Sequence, residues 1–296
     1  MPPGTAHHIE LAYETIGEGE PLLLVMGLGS QLVYWPDSFC AALASQGLQV
    51  IRYDHRDVGL STKMVDAPRV DVRRLFARWL VGLPIAAPYT LVDMADDAVR
   101  LLDRLGIESA HVVGISMGGM IGQTMAIRHP ERLRTLTSWA SHTGERHWYA
   151  GSPRAMRVLL GPAPRDREDA MDRAVDFYRV VRSTAYPFDV GQVRDRAARA
   201  HDRCFYPIGF GRHVAAILAT GPRSQALRFV RVPTLVLHGS ADPLIRPAAG
   251  RATARAIPGA TWRLIDGLGH DLPDGAAELV ADTIAAHARS HDSALH

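Results

Sequence analysis

Segments typical of β-strands alternate with segments typical of helices at both ends of the chain, and this alternation limits the possible folds most. Short apolar runs are followed by stretches whose apolar side chains recur every three or four residues, as in an amphipathic helix. Because each parallel strand pair needs a crossover that covers one face, the alternation predicts a mostly parallel sheet with helices on both faces. The predicted strands span 48–53, 110–115, 133–139, 233–238 and 261–265, and the predicted helices span 90–105, 117–128, 248–256 and 275–288.

The sequence patterns at the two ends of the chain predict a hairpin and a tail. Two β-like runs, over residues 9–16 and 21–26, are separated by the turn-prone sequence GEGE. Apolar runs on either side of such a turn predict a β-hairpin. The sequence after Ala286 is polar and predicts a frayed tail.

The alternation stops in the middle of the chain, between about residues 143 and 225. This segment predicts helices rich in arginine and aspartate, interrupted by six prolines. We interpret residues 143–225 as a helical cap, inserted into an α/β core made of residues 1–142 and 226–296. The cap contains nine aromatic side chains, most of which we expect in its own core rather than along a substrate pocket. They are Trp148, Tyr149, Phe177, Tyr178, Tyr186, Phe188, Phe205, Tyr206 and Phe210.

Composition excludes several classes of partner. The 33 basic residues nearly balance the 31 acidic ones, which argues against nucleic acid or an anionic membrane as the main partner. Cys40 and Cys204 match no metal-ligand spacing and predict buried or free thiols in a reducing compartment. The amino end lacks a signal-peptide pattern, and no apolar run approaches the roughly 18 residues of a membrane span. We therefore expect a cytoplasmic protein without a metal that acts on a small molecule, in an oligomeric state that stays open.

One serine lies between two glycines at the predicted turn from strand 110–115 to helix 117–128, in the sequence HVVGISMGG. This is the G-x-S-x-G pattern of a nucleophile elbow, whose tight turn would project Ser116 above the sheet. The amide of Met117, at the helix start, would point toward a carbonyl oxygen that becomes negative. Short glycine-serine patterns are common, so it is the position between strand and helix that indicates a nucleophile rather than an ordinary hydroxyl.

A serine nucleophile needs a histidine base and an acid that orients this base. Asp242 and His270 each follow a later predicted strand, at the sheet edge where ligands of open α/β sheets bind. Taken singly, an aspartate before proline commonly forms a turn and a histidine is usually only polar. Among the 14 histidines the strongest alternative base is His55, and the main alternative acid is Glu145. Two further aspartates are too near the base in sequence to orient it obviously, namely Asp266 and Asp271.

A second donor to the oxyanion is expected in the loop after an early strand. Residues 26–30, with the sequence MGLGS, follow the apolar run LLLV, and their glycines allow the backbone to approach a substrate closely. The amide of Leu28 is our candidate. The alternative is that these glycines only make a flexible strand end.

With these residues assembled, the chain from residue 9 to about residue 286 resembles the α/β-hydrolase superfamily. Within it, the chain is similar to carboxylesterases of the aclacinomycin methylesterase type. The resemblance is carried by PLLLVMG, YWPDSF, VIRYDHRDVGLST, AHVVGISMGGMIGQTMAIRHPERL and PTLVLHGSADPLIRP. It implies Ser116 as nucleophile, Asp242 as acid, His270 as base, and the amides of Leu28 and Met117 as oxyanion donors. The implied reaction is ester hydrolysis through an acyl-enzyme, which requires no cofactor.

The chain departs from its relatives at two positions. Met26 stands where many relatives have histidine before the first glycine, which matters little if the donor is a backbone amide. Asp57 stands where many relatives have glycine. We interpret the loop around it as scaffold, in which Asp54 and Arg56 make structural hydrogen bonds, and we leave open whether His55 lines the pocket.

Serine at the elbow argues against haloalkane dehalogenase and epoxide hydrolase chemistry, in which the resembling proteins attack with aspartate. Several serine-based alternatives stay open: cofactor-free perhydrolases of the haloperoxidase type, enol-lactonases and carbon-carbon bond hydrolases. An alternative from a different class is a ligand receptor that kept the fold without turnover.

Overall fold

The structure, a computed structural model, describes residues 9–149 and 151–292. Seven strands within these residues form one sheet. They are β1 (Tyr13–Ile16), β2 (Glu20–Val25), β3 (Leu48–Tyr53), β4 (Ala110–Ile115), β5 (Leu133–Trp139), β6 (Thr234–Gly239) and β7 (Thr261–Ile265). Their order across the sheet is β1-β3-β2-β4-β5-β6-β7, and all neighbours are parallel except β1 and β3. The predicted mostly parallel sheet is confirmed.

The predicted amino-terminal hairpin is wrong. Strand β1 pairs with β3, with Tyr13 opposite Tyr53, while β2 lies between β3 and β4. The burial of the two strands explains the arrangement. Residues 22–25 of β2 are fully buried, as in a central strand covered on both faces, whereas β1 alternates between exposed and half-buried side chains, as at an edge.

Eleven α-helices lie within the described residues, and two of them, α1 and α2, are not predicted from sequence. The helices are α1 (Asp37–Ala44), α2 (Val72–Leu80), α3 (Leu91–Arg104), α4 (Met117–Arg128), α5 (Pro153–Leu159), α6 (Arg167–Val181), α7 (Val190–Arg203), α8 (Ile208–Thr220), α9 (Ser224–Leu227), α10 (Pro247–Ala256) and α11 (Asp274–Asp292). Helix α11 runs past Ala286 to Asp292, so the predicted frayed tail is wrong up to that point. Residues 1–8 and 293–296 lie outside the described part of the chain.

Helices cover both faces of the sheet because alternate side chains of β2 point to opposite sides. Leu23 and Val25 belong to an apolar core that includes residues of α3 and α4. Leu22 and Leu24 belong to a second core on the other face, with residues of α1 and α11. Among the described helices, we find none long and apolar enough to cross a membrane.

Helices α5 to α8 follow one another between β5 and β6. The arginines and aspartates of this segment partly pair across helices: Arg167 of α6 contacts Asp202 of α7 at 2.7 Å, and Arg194 of α7 contacts Asp172 of α6 at 2.5 Å. These pairs are largely exposed, so they align the two helices more than they stabilise them.

Candidate active site

Ser116 occupies a strained turn between β4 and α4. Its φ of 57° lies in the left-handed region that non-glycine residues rarely adopt. Its amide donates to the Trp139 carbonyl at 2.9 Å, and its carbonyl accepts from the Ser141 hydroxyl at 2.8 Å, which hold this backbone in place. A methyl group at Gly118 would lie 1.9 Å from the carbonyl oxygen of Val25. The glycine therefore allows α4 to begin directly above the ends of β2 and β4.

Asp242 and His270 meet at the same edge of the sheet, as the sequence predicts. The Nδ1 of His270 donates to Asp242 Oδ2 at 2.7 Å. The other carboxylate oxygen, Oδ1, accepts from the amides of Leu244 and Ile245, each at 2.9 Å. His238 Nε2 also lies 3.5 Å from Oδ2. Three hydrogen bonds, from His270 and the two amides, thus satisfy this buried carboxylate, while the Nε2 of His238 donates to the Ile245 carbonyl at 2.7 Å.

These contacts keep the carboxylate charged. Burial by itself raises the pKa of Asp242, but its interactions with His270 and His238 outweigh burial and hold the pKa well below its usual range. An ionised aspartate bonded to Nδ1 leaves Nε2 of His270 as the nitrogen that can accept a proton. The loop that carries this histidine is also fixed from above, because the His270 amide donates to the Val181 carbonyl at the end of α6 at 2.8 Å.

Ser116 and His270 line one cleft of about 910 Å³. In the part of the chain that the structure describes, no hydrogen bond joins the Ser116 hydroxyl to the imidazole. Hydrogen bonds between catalytic groups are often long before substrate binds, so this separation is compatible with a nucleophile and base.

The loop at the end of β2 approaches Ser116 closely. A side-chain carbon placed on Gly27 would lie 3.5 Å from Ser116 Cβ. The Ser30 amide donates to the Gly27 carbonyl at 3.3 Å, and Gly29 has a φ of 68°. This combination is a type II β-turn with Leu28 and Gly29 at its centre. The glycines therefore form a hydrogen-bonded turn at the end of β2.

The alternative acids and the alternative base are engaged elsewhere. His55 is buried beneath the loop after β2, where its Nε2 donates to the Met26 carbonyl at 2.9 Å. Glu145 accepts from Thr143, Asp266 from Ser240, and Asp271 from Ser183. Contacts of these side chains with the Ser116 hydroxyl or with the His270 ring nitrogens are not found among the described residues.

The loop around Asp57 is scaffold, as predicted. Arg56 forms a buried, bidentate ion pair with Asp97 at 2.6 and 2.7 Å. Asp54 accepts from the amides of Leu32 and Leu60. Asp57 has a φ of 63°, a left-handed conformation that glycine adopts without strain and that other residues rarely adopt. Its carboxylate compensates by accepting from three groups, which are the Met64 amide, the Tyr89 hydroxyl and the Arg212 guanidinium.

A second, smaller cavity of about 80 Å³ also opens on Ser116. Its walls are mostly methionine, leucine, isoleucine and valine side chains, together with Trp148, Tyr149 and His142. Of the nine aromatic side chains noted between residues 143 and 225, seven line one of the two cavities, and five of these seven also pack against apolar cores, so most of them have both roles. The seven are Trp148, Tyr149, Phe177, Tyr178, Phe205, Tyr206 and Phe210.

His142 lines the pocket, whereas the sequence indicates it only as one of four histidines in or beside the cap that could touch substrate, with His147, His201 and His213. It follows β5, is 2% exposed, and accepts from the Gly144 amide at 3.0 Å through Nδ1. Burial, with smaller effects of Arg223 and nearby histidines, lowers the pKa of His142 to about 3. The pocket beside Ser116 therefore holds a neutral imidazole at physiological pH. Its place three residues after the predicted strand 133–139 is the sequence signal that distinguishes His142 from the other three histidines.

The strand order and the flanking helices agree with comparisons of the chain against known proteins. The family defined by the alpha/beta hydrolase fold matches residues 20–276. The chain belongs to this family.

Individual proteins of this family are similar to the chain over nearly its whole length. The chain is 32% identical to rhodomycin D methylesterase of Streptomyces sp. (strain C5), over 97% of both chains. It is also 32% identical to rhodomycin D methylesterase of Streptomyces peucetius, again over 97% of both chains. Among solved structures, a thermophilic esterase from Thermogutta terrifontis has a TM-score of 0.71 at 24% identity, covering 97% of this chain and 96% of the other. This last likeness concerns the fold.

We predict that His142 makes the protein less stable in mild acid. Because the pKa of His142 falls from 6.5 to about 3 on folding, protonation favours the unfolded chain. Its stability contribution is complete above pH 6.5 and is lost as the pH falls toward 3. Between pH 7 and pH 5 the loss is about 2 kcal/mol. Urea unfolding of His142→Asn, which keeps an acceptor for Gly144, should show a correspondingly smaller decrease.

The matched control is His147→Asn, since His147 is exposed and has the smallest of the effects on the pKa of His142. It should lose as much unfolding free energy between the two pH values as the unsubstituted protein. An equal loss in His142→Asn as well would contradict the assignment of a neutral, buried His142.

Proposed function

We propose that the chain hydrolyses carboxylic esters, with Ser116 as nucleophile, His270 as base and Asp242 as the acid that orients the base. The observation that carries the proposal is the meeting of a strained serine and an aspartate-bonded histidine along one cleft. The names of the Streptomyces relatives support the same reaction class. No metal or cofactor is needed for this reaction.

In the first half of the reaction, the Ser116 hydroxyl turns toward His270 as substrate enters and attacks the ester carbonyl carbon. His270 Nε2 takes the hydroxyl proton, and Asp242 stabilises the imidazolium that forms. The carbonyl oxygen becomes negative and accepts from the amides of Leu28 and Met117. The tetrahedral intermediate then collapses, and His270 gives its proton to the departing alcohol.

In the second half, water attacks the acyl-Ser116 ester. His270 again removes the proton, and the same two amides receive the oxyanion. Breakdown of the second intermediate releases the carboxylic acid and returns the proton to Ser116. The charged Asp242 has the same role in both halves, since each passes through an imidazolium.

Replacement of the nucleophile tests the proposal directly. Ser116→Ala should reduce ester turnover by about 10⁶-fold, to the background of the assay, because no other group can carry the acyl chain. It should also abolish labelling by a fluorophosphonate probe. The control is Ser45→Ala, an exposed serine at the end of α1, which should keep both activities. Turnover or labelling retained in Ser116→Ala would disprove the assignment.

The acid can be separated from its alternatives by three isosteric changes. Asp242→Asn should lower kcat by about 10⁴-fold while KM changes little, because the amide favours the wrong tautomer of His270. Glu145→Gln and Asp266→Asn should each stay within about threefold of the original kcat, since these carboxylates bond to other groups. If Glu145→Gln instead lowered kcat by about 10⁴-fold, Glu145 rather than Asp242 would be the acid that orients His270. Steady-state kinetics on an activated ester measures all three.

We also infer a substrate class. Residues 143–225 act as a cap over the core formed by residues 1–142 and 226–296, and their aromatic side chains along the large cleft provide an apolar wall. A cleft of about 910 Å³ can take a bulky group. Together with the relatives' names, this favours a methyl ester of a bulky acid over a short-chain ester. The cytoplasmic location stays a prediction, supported by two free cysteines, one of them buried.

A substrate series tests this class. Among methyl esters of increasing acyl bulk, kcat/KM should rise by about tenfold or more from the smallest to a fused-ring acid, because only the larger acids fill the cleft. The comparison uses p-nitrophenyl esters of two to eight carbons, with Ser116→Ala as the blank throughout. A preference for the short p-nitrophenyl esters would indicate a generic carboxylesterase instead.

A further inference from the structure

The loop that carries the proposed oxyanion amide of Leu28 packs against helix α8, which is not adjacent to it in the sequence. It forms a type II turn in which Gly29, at φ 68°, follows Leu28. The ring of Phe210, from α8, packs so close that a methyl group on Gly29 would lie 2.9 Å from it. Helix α8 thus lies directly against the turn.

His213, one helical turn after Phe210, makes the polar contact between α8 and this turn. The Gly29 amide donates to His213 Nδ1 at 3.3 Å. The other ring nitrogen, Nε2, lies 2.9 Å from the Arg56 carbonyl, to which it must donate. With one nitrogen accepting and the other donating, the fully buried ring is held in its neutral form and in one tautomer.

The other end of the turn is held by a second histidine. His55 Nε2 donates to the Met26 carbonyl at 2.9 Å, and the His55 ring meets the His213 ring edge to face at 5.9 Å. Arg56, which follows His55 and receives the His213 hydrogen bond, is itself fixed by its bidentate ion pair with Asp97. Histidines therefore hold the residues on both sides of Gly27 and Leu28.

We propose that His213 is a positioning residue of the catalytic centre: its neutral Nδ1 fixes Gly29 and thereby aims the Leu28 amide at the developing oxyanion. This inference rests on the proposed esterase function. The physical reason is that an oxyanion donor helps only if its direction is set before the reaction begins. Without an acceptor, the half-buried Gly29 amide loses the side-chain partner that keeps this turn in one orientation.

Two substitutions of His213, by asparagine and by glutamine, distinguish the proposed positioning role from a role in packing alone. In His213→Asn the side-chain oxygen lies near the original Nδ1 position and can accept from Gly29, while the contact with Arg56 is lost. In His213→Gln the side-chain amide nitrogen lies near the original Nε2 position and can donate to Arg56, while Gly29 loses its acceptor. Each variant thus loses one hydrogen bond, and only the glutamine variant loses the hydrogen bond from the Gly29 amide.

We expect His213→Gln to lower kcat by about tenfold or more with KM within about twofold, as for partial loss of an oxyanion donor. His213→Asn should keep kcat within about threefold. The inhibition constant of a trifluoromethyl ketone, which forms a tetrahedral adduct with serine, should rise in His213→Gln by about the same factor as kcat falls. Thermal unfolding of both variants reports any general loss of stability.

Equal decreases of kcat in the two variants, or a rise of KM alone, would overturn the inference. If His213→Gln does not fold, the same comparison is made with His55→Asn and His55→Gln. Only the glutamine variant can still donate a hydrogen bond to the Met26 carbonyl. The asparagine variant should therefore have a lower kcat and an unchanged KM. The exposed His147→Gln is the control for both pairs. Failure of the proposed function is distinguishable, since the unsubstituted protein would then not turn over esters or Ser116→Ala would retain turnover.

Discussion

The close approach of helix α4 to the ends of β2 and β4 is the constraint on which the rest of the site depends. No side chain fits at Gly118, where a methyl group would lie 1.9 Å from the Val25 carbonyl, or at Gly114, where one would lie 2.1 Å from the Gly118 carbonyl. The backbone between them has to reverse within one residue, which forces Ser116 to a φ of 57°. The strain is maintained because the central strands are buried on both faces and cannot yield.

Around this fixed point, the remaining groups are held by contacts that differ in kind. Asp242 is placed by backbone amides of its own loop and by two histidines, so its position depends on local geometry. The His270 loop depends on a distant element, the end of α6, through the contact with Val181. The loop of Leu28 likewise contacts α8. The segment inserted between β5 and β6 therefore touches all three loops that surround Ser116, because the amide of Ser152, the residue before α5, also donates to the Pro243 carbonyl beside Asp242 at 2.8 Å.

Much of the fold is predictable because parallel strands and their helices leave a local pattern. Strands β3, β4, β5 and β7 have the bounds that sequence indicates. The prediction of an amino-terminal hairpin is wrong because the turn-prone sequence GEGE indicates only that the chain bends there. The apolar run of β2 requires burial on both faces, and therefore a central position in the sheet. Helix α11 extends beyond the expected end, since the polar residues after Ala286 suit the exposed side of a helix as well as a tail.

The sequence by itself determined the α/β fold and the candidates Ser116, Asp242 and His270, because strand ends and turn residues are local signals. Only the tertiary structure decided that His142 is a neutral wall of the pocket, that seven aromatic side chains line cavities, and that His55 and His213 lie against the turn of Leu28. His213 is 184 residues from Gly29 in the chain. Contacts of this kind arise when separate elements pack, and neither spacing nor periodicity records which helix will cover which loop.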